Sequence, residues 1–318
     1  MSLLIATLAL GLVFAILALG VFVAFRIYRT PDITADGSFA LGAAVSARLI
    51  VDGCDPVTAT LAAFVAGAVA GMTTGIIHVH FKVHALLAGV LVMTALYSIN
   101  LRVMGRSNLP ISSHTIFTPF ESAARWVWGN EAVILGREVP SGDLGLLFAS
   151  ALFVLLAAFA LVLLLKTELG AAMRATGDNP RMLRALGTST DRMMILGLGV
   201  SNALVALSGS LVAQMQTFAD AQMGIGVIVL GLASVIIGQT LIGTTRSISL
   251  AVAGALVGAL LFRLLVAIAI RVGLNPNDLK LVTAVVVLVA IIAPGWLQRF
   301  NQARAMSDAP RTNGGARA

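Results

Sequence analysis

The sequence predicts an all-α membrane protein, a polytopic helical bundle of about nine transmembrane helices. Three observations lead there. Of 318 residues, 58% are hydrophobic and only 11% are charged, against roughly 25% charged in a soluble domain. Apolar runs close to the length of a bilayer span recur along the whole chain. The polar residues gather instead in two stretches, 103–143 and 166–192, and at the C-terminal end.

The runs fall at 3–25, 38–51, 57–77, 85–101, 144–165, 193–215, 223–243, 248–270 and 279–295. The first, from Leu3 to Phe25, lacks a positive leader region and a small-residue cleavage site, so it reads as a span. Cys54 is the single cysteine, which excludes an intrachain disulfide. The net charge of +7 does not call for a nucleic-acid partner, because basic residues of membrane proteins accumulate on the cytoplasmic side. If 166–192 lies inside, Arg26, Arg29, Lys82, Lys166, Arg174, Arg181, Arg184, Arg192, Arg246 and Arg299 share that side. The expected topology is then N-terminus outside and C-terminus cytoplasmic. Residues 1–300 form one transmembrane domain, with an outer loop at 103–143 that carries Trp126 and Trp128 as interface anchors. Residues 301–318 read as a disordered cytoplasmic tail.

Two three-helix units resemble each other. Leu41-Gly42-Ala43-Ala44 matches Leu230-Gly231-Leu232-Ala233, and Ala66-Gly67-Ala68-Val69-Ala70-Gly71 matches Ala253-Gly254-Ala255-Leu256-Val257-Gly258. The second match puts a Gly-x-x-x-Gly in each unit, a spacing that lets helix backbones approach closely in lipid. With the topology above the units have opposite orientations, which reads as an inverted repeat. Chance similarity in an Ala/Gly/Val-rich chain is the competing explanation.

Four places carry candidate function. The stretch from Pro31 to Ser38 holds Asp32 and Asp36 beside Gly37, ahead of a run too short to span alone. It reads either as a broken helix beside a water-filled path or as a cytoplasmic loop with an N-cap at Asp36. The stretch Gly177-Asp178-Asn179-Pro180-Arg181-Met182-Leu183-Arg184-Ala185-Leu186-Gly187 predicts a two-turn helix. Asp178 or Asn179 caps it, Pro180 opens it and Gly187 follows its end. Met182, Leu183 and Leu186 make its apolar face, suited to a groove on another protein or to a headgroup layer. In the sixth run, Asn202, Gly209 and Gln216 recur every seven residues with Ser201 and Ser208 beside them. That stripe either lines a pathway or bonds helices together. Arg263 sits inside an apolar run, where outward snorkelling is the simple expectation. His78, His80 and His84 lie between the third and fourth runs. His80 and His84 have i, i+4 spacing, but no carboxylate accompanies them, so an interfacial loop is expected there. No P-loop motif and no hydrolase or zinc-protease motif occurs.

At 168–192, and again at Pro31 to Gly42, Leu96 to Gly105, Met223 to Gly238 and Gly273 to Leu281, the chain resembles permease subunits of bacterial ATP-binding-cassette importers. These belong to the branched-chain amino acid and ribose permease superfamily, and the resemblance covers about residues 8–295. The runs Asn100-Leu101-Arg102-Val103-Met104-Gly105 and Pro276-Asn277-Asp278-Leu279-Lys280 resemble most the group related to tryptophan and tyrosine uptake. Gln239 stands where that group suggests a glutamate. The resemblance implies that residues 177–187 form a coupling helix on a separate ATPase, which binds the ATP and magnesium. It further implies no cofactor in this chain, a pair of permease chains, a substrate-binding protein outside, the bacterial inner membrane as location, and no covalent chemistry. An amino acid or related solute would be carried. The alternative is an ion-coupled secondary transporter using Asp32 and Asp36.

Overall fold

The structure is a computed structural model. It describes residues 2–111, 114–134, 137–243, 247–271, 281, 284–285 and 287–289. Eight of the predicted runs contain a helix: α1 (Ser2–Phe22), α2 (Thr34–Val51), α3 (Pro56–His80), α4 (Ala85–Met104), α6 (Ser141–Lys166), α9 (Thr190–Gln216), α10 (Val227–Ile242) and α11 (Ile248–Arg271). A π-helical turn, Val23–Ile27, ends α1. The polar stretches contain α5 (Thr118–Trp128), α7 (Glu168–Asp178) and α8 (Pro180–Ala185). Most of the ninth run, and the whole 301–318 tail, lie outside the described residues.

The bundle carries two small antiparallel ribbons that an all-α reading leaves out. β1 (Asn108–Pro110) pairs with β4 (Phe218–Asp220), and β2 (Glu131–Ile134) pairs with β3 (Arg137–Pro140). The first ribbon ties the end of α4 to the end of α9. Beside it the buried Gln214 accepts from the Ile116 amide at 2.9 Å and donates to Thr60 at 2.8 Å, so α3, α9 and the 103–143 stretch share one buried polar knot.

Among the described residues, six helices are long and apolar enough to cross a bilayer: Leu4–Ile27, Pro56–His80, Ala85–Met104, Ser141–Lys166, Thr190–Gln216 and Ile248–Ala269. The exceptions are α2, with 18 residues, and α10, with 16. At 1.5 Å per residue α10 is about 24 Å long, short of a hydrocarbon core of about 30 Å. A helix that begins inside the bundle leaves amide groups with no water to meet them, and both short helices have an aspartate in place to meet that need.

At the centre α9 packs on α1, α2 and α3. Lipid-like surroundings give little hydrophobic drive between helices, so close backbone approach must supply the packing. Gly42 meets the Ala206 carbonyl and Gly209 the Phe39 carbonyl, so α2 and α9 cross backbone to backbone. The two Gly-x-x-x-Gly faces make the predicted close approaches, but to different partners. Gly67 and Gly71 abut α9 at Asn202 and Leu198, whereas Gly254 and Gly258 abut α10 at Gly238 and Ser234.

Candidate functional site

The 31–38 stretch divides in a way the sequence reading missed. The helix begins at Thr34, with Ile33 at the N-cap making no side-chain cap bond. Asp36 therefore sits in the first turn and is not the N-cap of its own helix. Residues 28–33 are the irregular part; Asp32 among them is buried and accepts from the Thr34 amide at 3.0 Å and from Asn202 Nδ2 at 2.6 Å. Asp32 thus covers an otherwise free amide of α2 and bonds α2 to α9.

Asp36 does the same for a distant helix. α10 starts after Gly226, whose φ of +86° suits glycine and which has no side chain to cap with. The Asp36 carboxylate accepts from the Gly226 amide at 2.9 Å and the Ile228 amide at 2.8 Å. Its negative charge also faces the positive end of the helix dipole. The irregular backbone that feeds a short helix is thus 221–226 as well as 28–33.

Gly37 packs under Leu96 and Met93 of α4. Ser38 is fully buried, and its hydroxyl has no hydrogen-bond partner among the described residues. Ser201 donates to the Gly20 carbonyl at 2.8 Å and Ser208 to the Val13 carbonyl at 2.8 Å, so this side of α9 is bonded to α1. Asn202 turns the other way, toward Asp32. Gln216 ends α9 and is exposed, so the stripe does not run on to it. The residue reasoning missed was Gln214; its spacing of four from Ser210, to which it donates at 3.2 Å, was the available signal.

The second region lies between α6 and α9. Asn179 is the N-cap of α8 and accepts from the Met182 amide at 3.1 Å, Pro180 opens the helix, and Gly187 follows it at φ +83°. Asp178 instead pairs with Arg29 at 2.7 Å. The expected apolar face splits: Met182 and Leu186 are exposed at 60% and 69%, whereas Leu183 is buried at 6%. Leu183 faces the protein because α8 is pressed against its neighbours and one side of so short a helix must be covered. Arg184 donates to Thr190 at 2.9 Å, fixing α8 to the start of α9. Arg181 is exposed.

This segment is joined to the π-helical end of α1. Gly177 lies against the Ile27 carbonyl, Gly197 against the Tyr28 ring, and the Tyr28 hydroxyl donates to the Met193 carbonyl at 2.6 Å. From Tyr28 the chain runs in four residues to Asp32.

The remaining candidates have local roles. His80 ends α3 while His84 precedes α4, so their spacing spans a turn and not a helix face; His78 Nδ1 lies 2.7 Å from the Val83 carbonyl in that turn. Among the described residues no group suited to hold a metal occurs. Arg263 does not simply point outward: its guanidinium lies over the Phe14 ring at 5.3 Å, and Phe14 stacks on Phe39 at 5.9 Å. Trp126 is 88% exposed on α5, and Trp128 stacks on Phe148 at 5.9 Å.

Residues 3–292 match the family model described as branched-chain amino acid transport system / permease component. The chain belongs to that family. It is 40% identical over 297 residues to the tyrosine transport system permease protein of Clostridioides difficile (strain R20291), covering 93% of this chain and 92% of that one. It is 26% identical over 228 residues to the autoinducer 2 import system permease protein LsrC of Escherichia coli (strain K12 / DH10B), covering 71% of this chain and 61% of that one. The structure is similar to PsaBC from Streptococcus pneumoniae in complex with Fab, with a TM-score of 0.53, 13% identity and 89% of each chain covered; that likeness concerns the fold. The family and the apolar helices together make this a multi-pass membrane permease of the importer class.

Proposed function

We propose that this chain is the membrane subunit of an ATP-driven importer for an amino acid or related solute, working as a homodimer. A separate ATPase holds the nucleotide and its magnesium, and a substrate-binding protein delivers the solute from outside. The observation that carries this reading is α8: a capped helix at the end of the bundle that hides Leu183 and offers Met182 and Leu186 to a partner. Residues 177–187 are the docking segment, on the cytoplasmic side of a bacterial inner membrane. The N-terminus is then outside, and the ninth apolar run completes nine spans built on an inverted repeat. The two short helices with deep N-termini fit such an architecture, because broken helices near a path are a transporter feature.

The route runs along the edge where Asp32, Asp36, Gly37 and Ser38 meet α4 and α10, with Ser201, Asn202 and Ser208 forming the packed wall behind. The 40% identity to a tyrosine transport permease makes L-tyrosine the first solute to test. An ion-coupled mechanism would have the aspartates exchange protons or cations during the cycle, whereas both carboxylates here hold amides at the starts of α2 and α10, a structural duty that does not call for ion exchange.

The test is capture of the partner ATPase from membranes. Wild-type chain is expected to co-purify with it, and vesicles holding both, with the binding protein, are expected to take up L-tyrosine only with ATP. Met182→Asp with Leu186→Asp is expected to lose the ATPase while chain abundance is kept. ATPase retention by that double variant, or uptake driven by an ion gradient alone, would overturn the reading.

A further inference from the structure

A small notch opens on the bundle where α4 faces the 221–225 turn, with a volume of about 30 Å³, room for one small polar group, and a lining that includes Asp36, Met93, Tyr97 and Asn100. Asn100 is 1% exposed. Its Nδ2 donates to the Gly37 carbonyl at 3.4 Å, which directs Oδ1 the other way, and Oδ1 has no partner among the described residues. A buried acceptor without a donor is costly and marks a place where a bound group completes the bonding. The neighbouring polar group, the Asp36 carboxylate, is also an acceptor; it already receives two amides and has lone pairs left. Above them the Tyr97 ring is 42% exposed, an aromatic face of the kind that attracts cations.

We infer that this notch is a contact point on the transport route for a primary ammonium group, with Asn100 Oδ1 and Asp36 accepting its hydrogens and Tyr97 covering it. The inference rests on the permease reading and adds the chemistry by which the route selects solutes carrying a free amine. Met93 lines the same notch, so it can report on the site without removing any of the three groups.

The experiment uses the full chain in permeabilised membranes with Cys54, which is exposed, replaced by serine. Met93→Cys is then reacted with two small methanethiosulfonates, one bearing an ethylammonium and one an ethylsulfonate. Rates are referred to those of the same reagents on mercaptoethanol. The cationic reagent is expected to gain about tenfold over the anionic one, the scale on which a charged cleft concentrates its counter-ion. Adding Asn100→Leu should remove most of that preference, and adding Asn100→Asp should increase it. If Met93→Cys reacts with neither reagent, shows no charge preference, or keeps its preference with Asn100→Leu while Asn100→Asp leaves it unmoved, the inference falls. Thiol labelling needs neither the ATPase nor transport. Failure here therefore leaves the permease reading standing, and failure of ATPase capture leaves this result readable.

Discussion

The amide of Gly226 donates to the Asp36 carboxylate at 2.9 Å across 190 residues of sequence. That bond makes the first turn of α2 the cap of α10 and welds the two short helices together. Loss of the carboxylate leaves two part-buried amides of α10 without the acceptor that starts the helix. Hydrogen bonds to a charged acceptor are worth roughly 1.5–3 kcal/mol each, so Asp36→Ala is expected to cost on the order of 3 kcal/mol or more. Asp36→Asn keeps one acceptor and should cost about half of that. Thermal unfolding of the detergent-solubilised chain, followed by tryptophan fluorescence, checks the order. If Asp36→Asn unfolds like wild type while uptake is abolished, the carboxylate serves ion coupling and not capping.

A second prediction concerns Asp32 and Asn202, whose side chains meet at 2.6 Å in a buried setting. Asn202→Ala takes the donor from one carboxylate oxygen of Asp32, and Asp32→Ala takes the acceptor from the Thr34 amide while Asn202 Nδ2 keeps only its bond to the Leu198 carbonyl at 3.0 Å. A double-mutant cycle is expected to return a coupling of about 1–3 kcal/mol, read from unfolding midpoints in detergent. A coupling near zero would show that the pair is adjacent without depending on each other.

How much of this was legible beforehand depends on how local each interaction is. The α8 cap at Asn179, the proline after it and the glycine past its end are neighbours in sequence, and the helix was readable from them. The apolar runs were readable for the same reason. The start of α10 was not, because Met223 and Ile225 are as apolar as the helix that follows, and the cap that begins the helix belongs to α2. Leu183 was assigned to the outer face because hydropathy cannot tell which apolar residue of a short helix is covered by its neighbours. The turn at His78, His80 and His84 was readable because no carboxylate accompanies the i, i+4 pair, and α3 does end at His80. The docking role proposed for residues 177–187 comes from the family resemblance, since nothing in a count of leucines singles out such a segment.

The third prediction tests the glycine faces. At Gly71 a β-carbon would fall on the Leu198 carbonyl, whereas at Gly142 the nearest atom is 3.6 Å away, on Arg125. Gly71→Ala should force α3 off α9, with overpacking costs of about 1–3 kcal/mol and lowered chain abundance in membranes. Gly142→Ala should be neutral, or stabilising by about 0.4–1 kcal/mol through the unfolded chain. Equal abundance of the two variants would mean that the α3–α9 contact is looser than described.

The fourth prediction separates docking from folding within α8. Leu183 is buried and Met182 exposed, so Leu183→Ala should cost about 2–4 kcal/mol of local stability. It should also make the α7–α8 segment susceptible to limited proteolysis. Met182→Ala should leave the proteolysis pattern unchanged and weaken ATPase capture. If the two variants exchange these phenotypes, the face of α8 has been assigned the wrong way round.

The last prediction concerns how a push on α8 reaches the buried carboxylates. The Tyr28 hydroxyl bonds the Met193 carbonyl at 2.6 Å, and Gly177 packs on the Ile27 carbonyl, so α7 and the start of α9 grip the π-helical turn from two sides. The path from Tyr28 to Asp32 is four residues long, and π-turns within helices are frequent at functional positions. Tyr28→Phe deletes the hydroxyl bond while keeping the ring against Gly197, at a cost of about 1 kcal/mol. The expected result is normal abundance, normal ATPase capture and normal ATP hydrolysis, with solute uptake reduced per ATP consumed. Arg29→Ala serves as the contrast. Its ion pair with Asp178 is largely exposed, at 60% and 70%, and such pairs contribute about 0–1 kcal/mol, so uptake per ATP should stay close to wild type. If Tyr28→Phe transports with unchanged stoichiometry, the grip on the π-turn only holds the fold together, and motion of α8 reaches Asp32 by way of α9 and Asn202 instead.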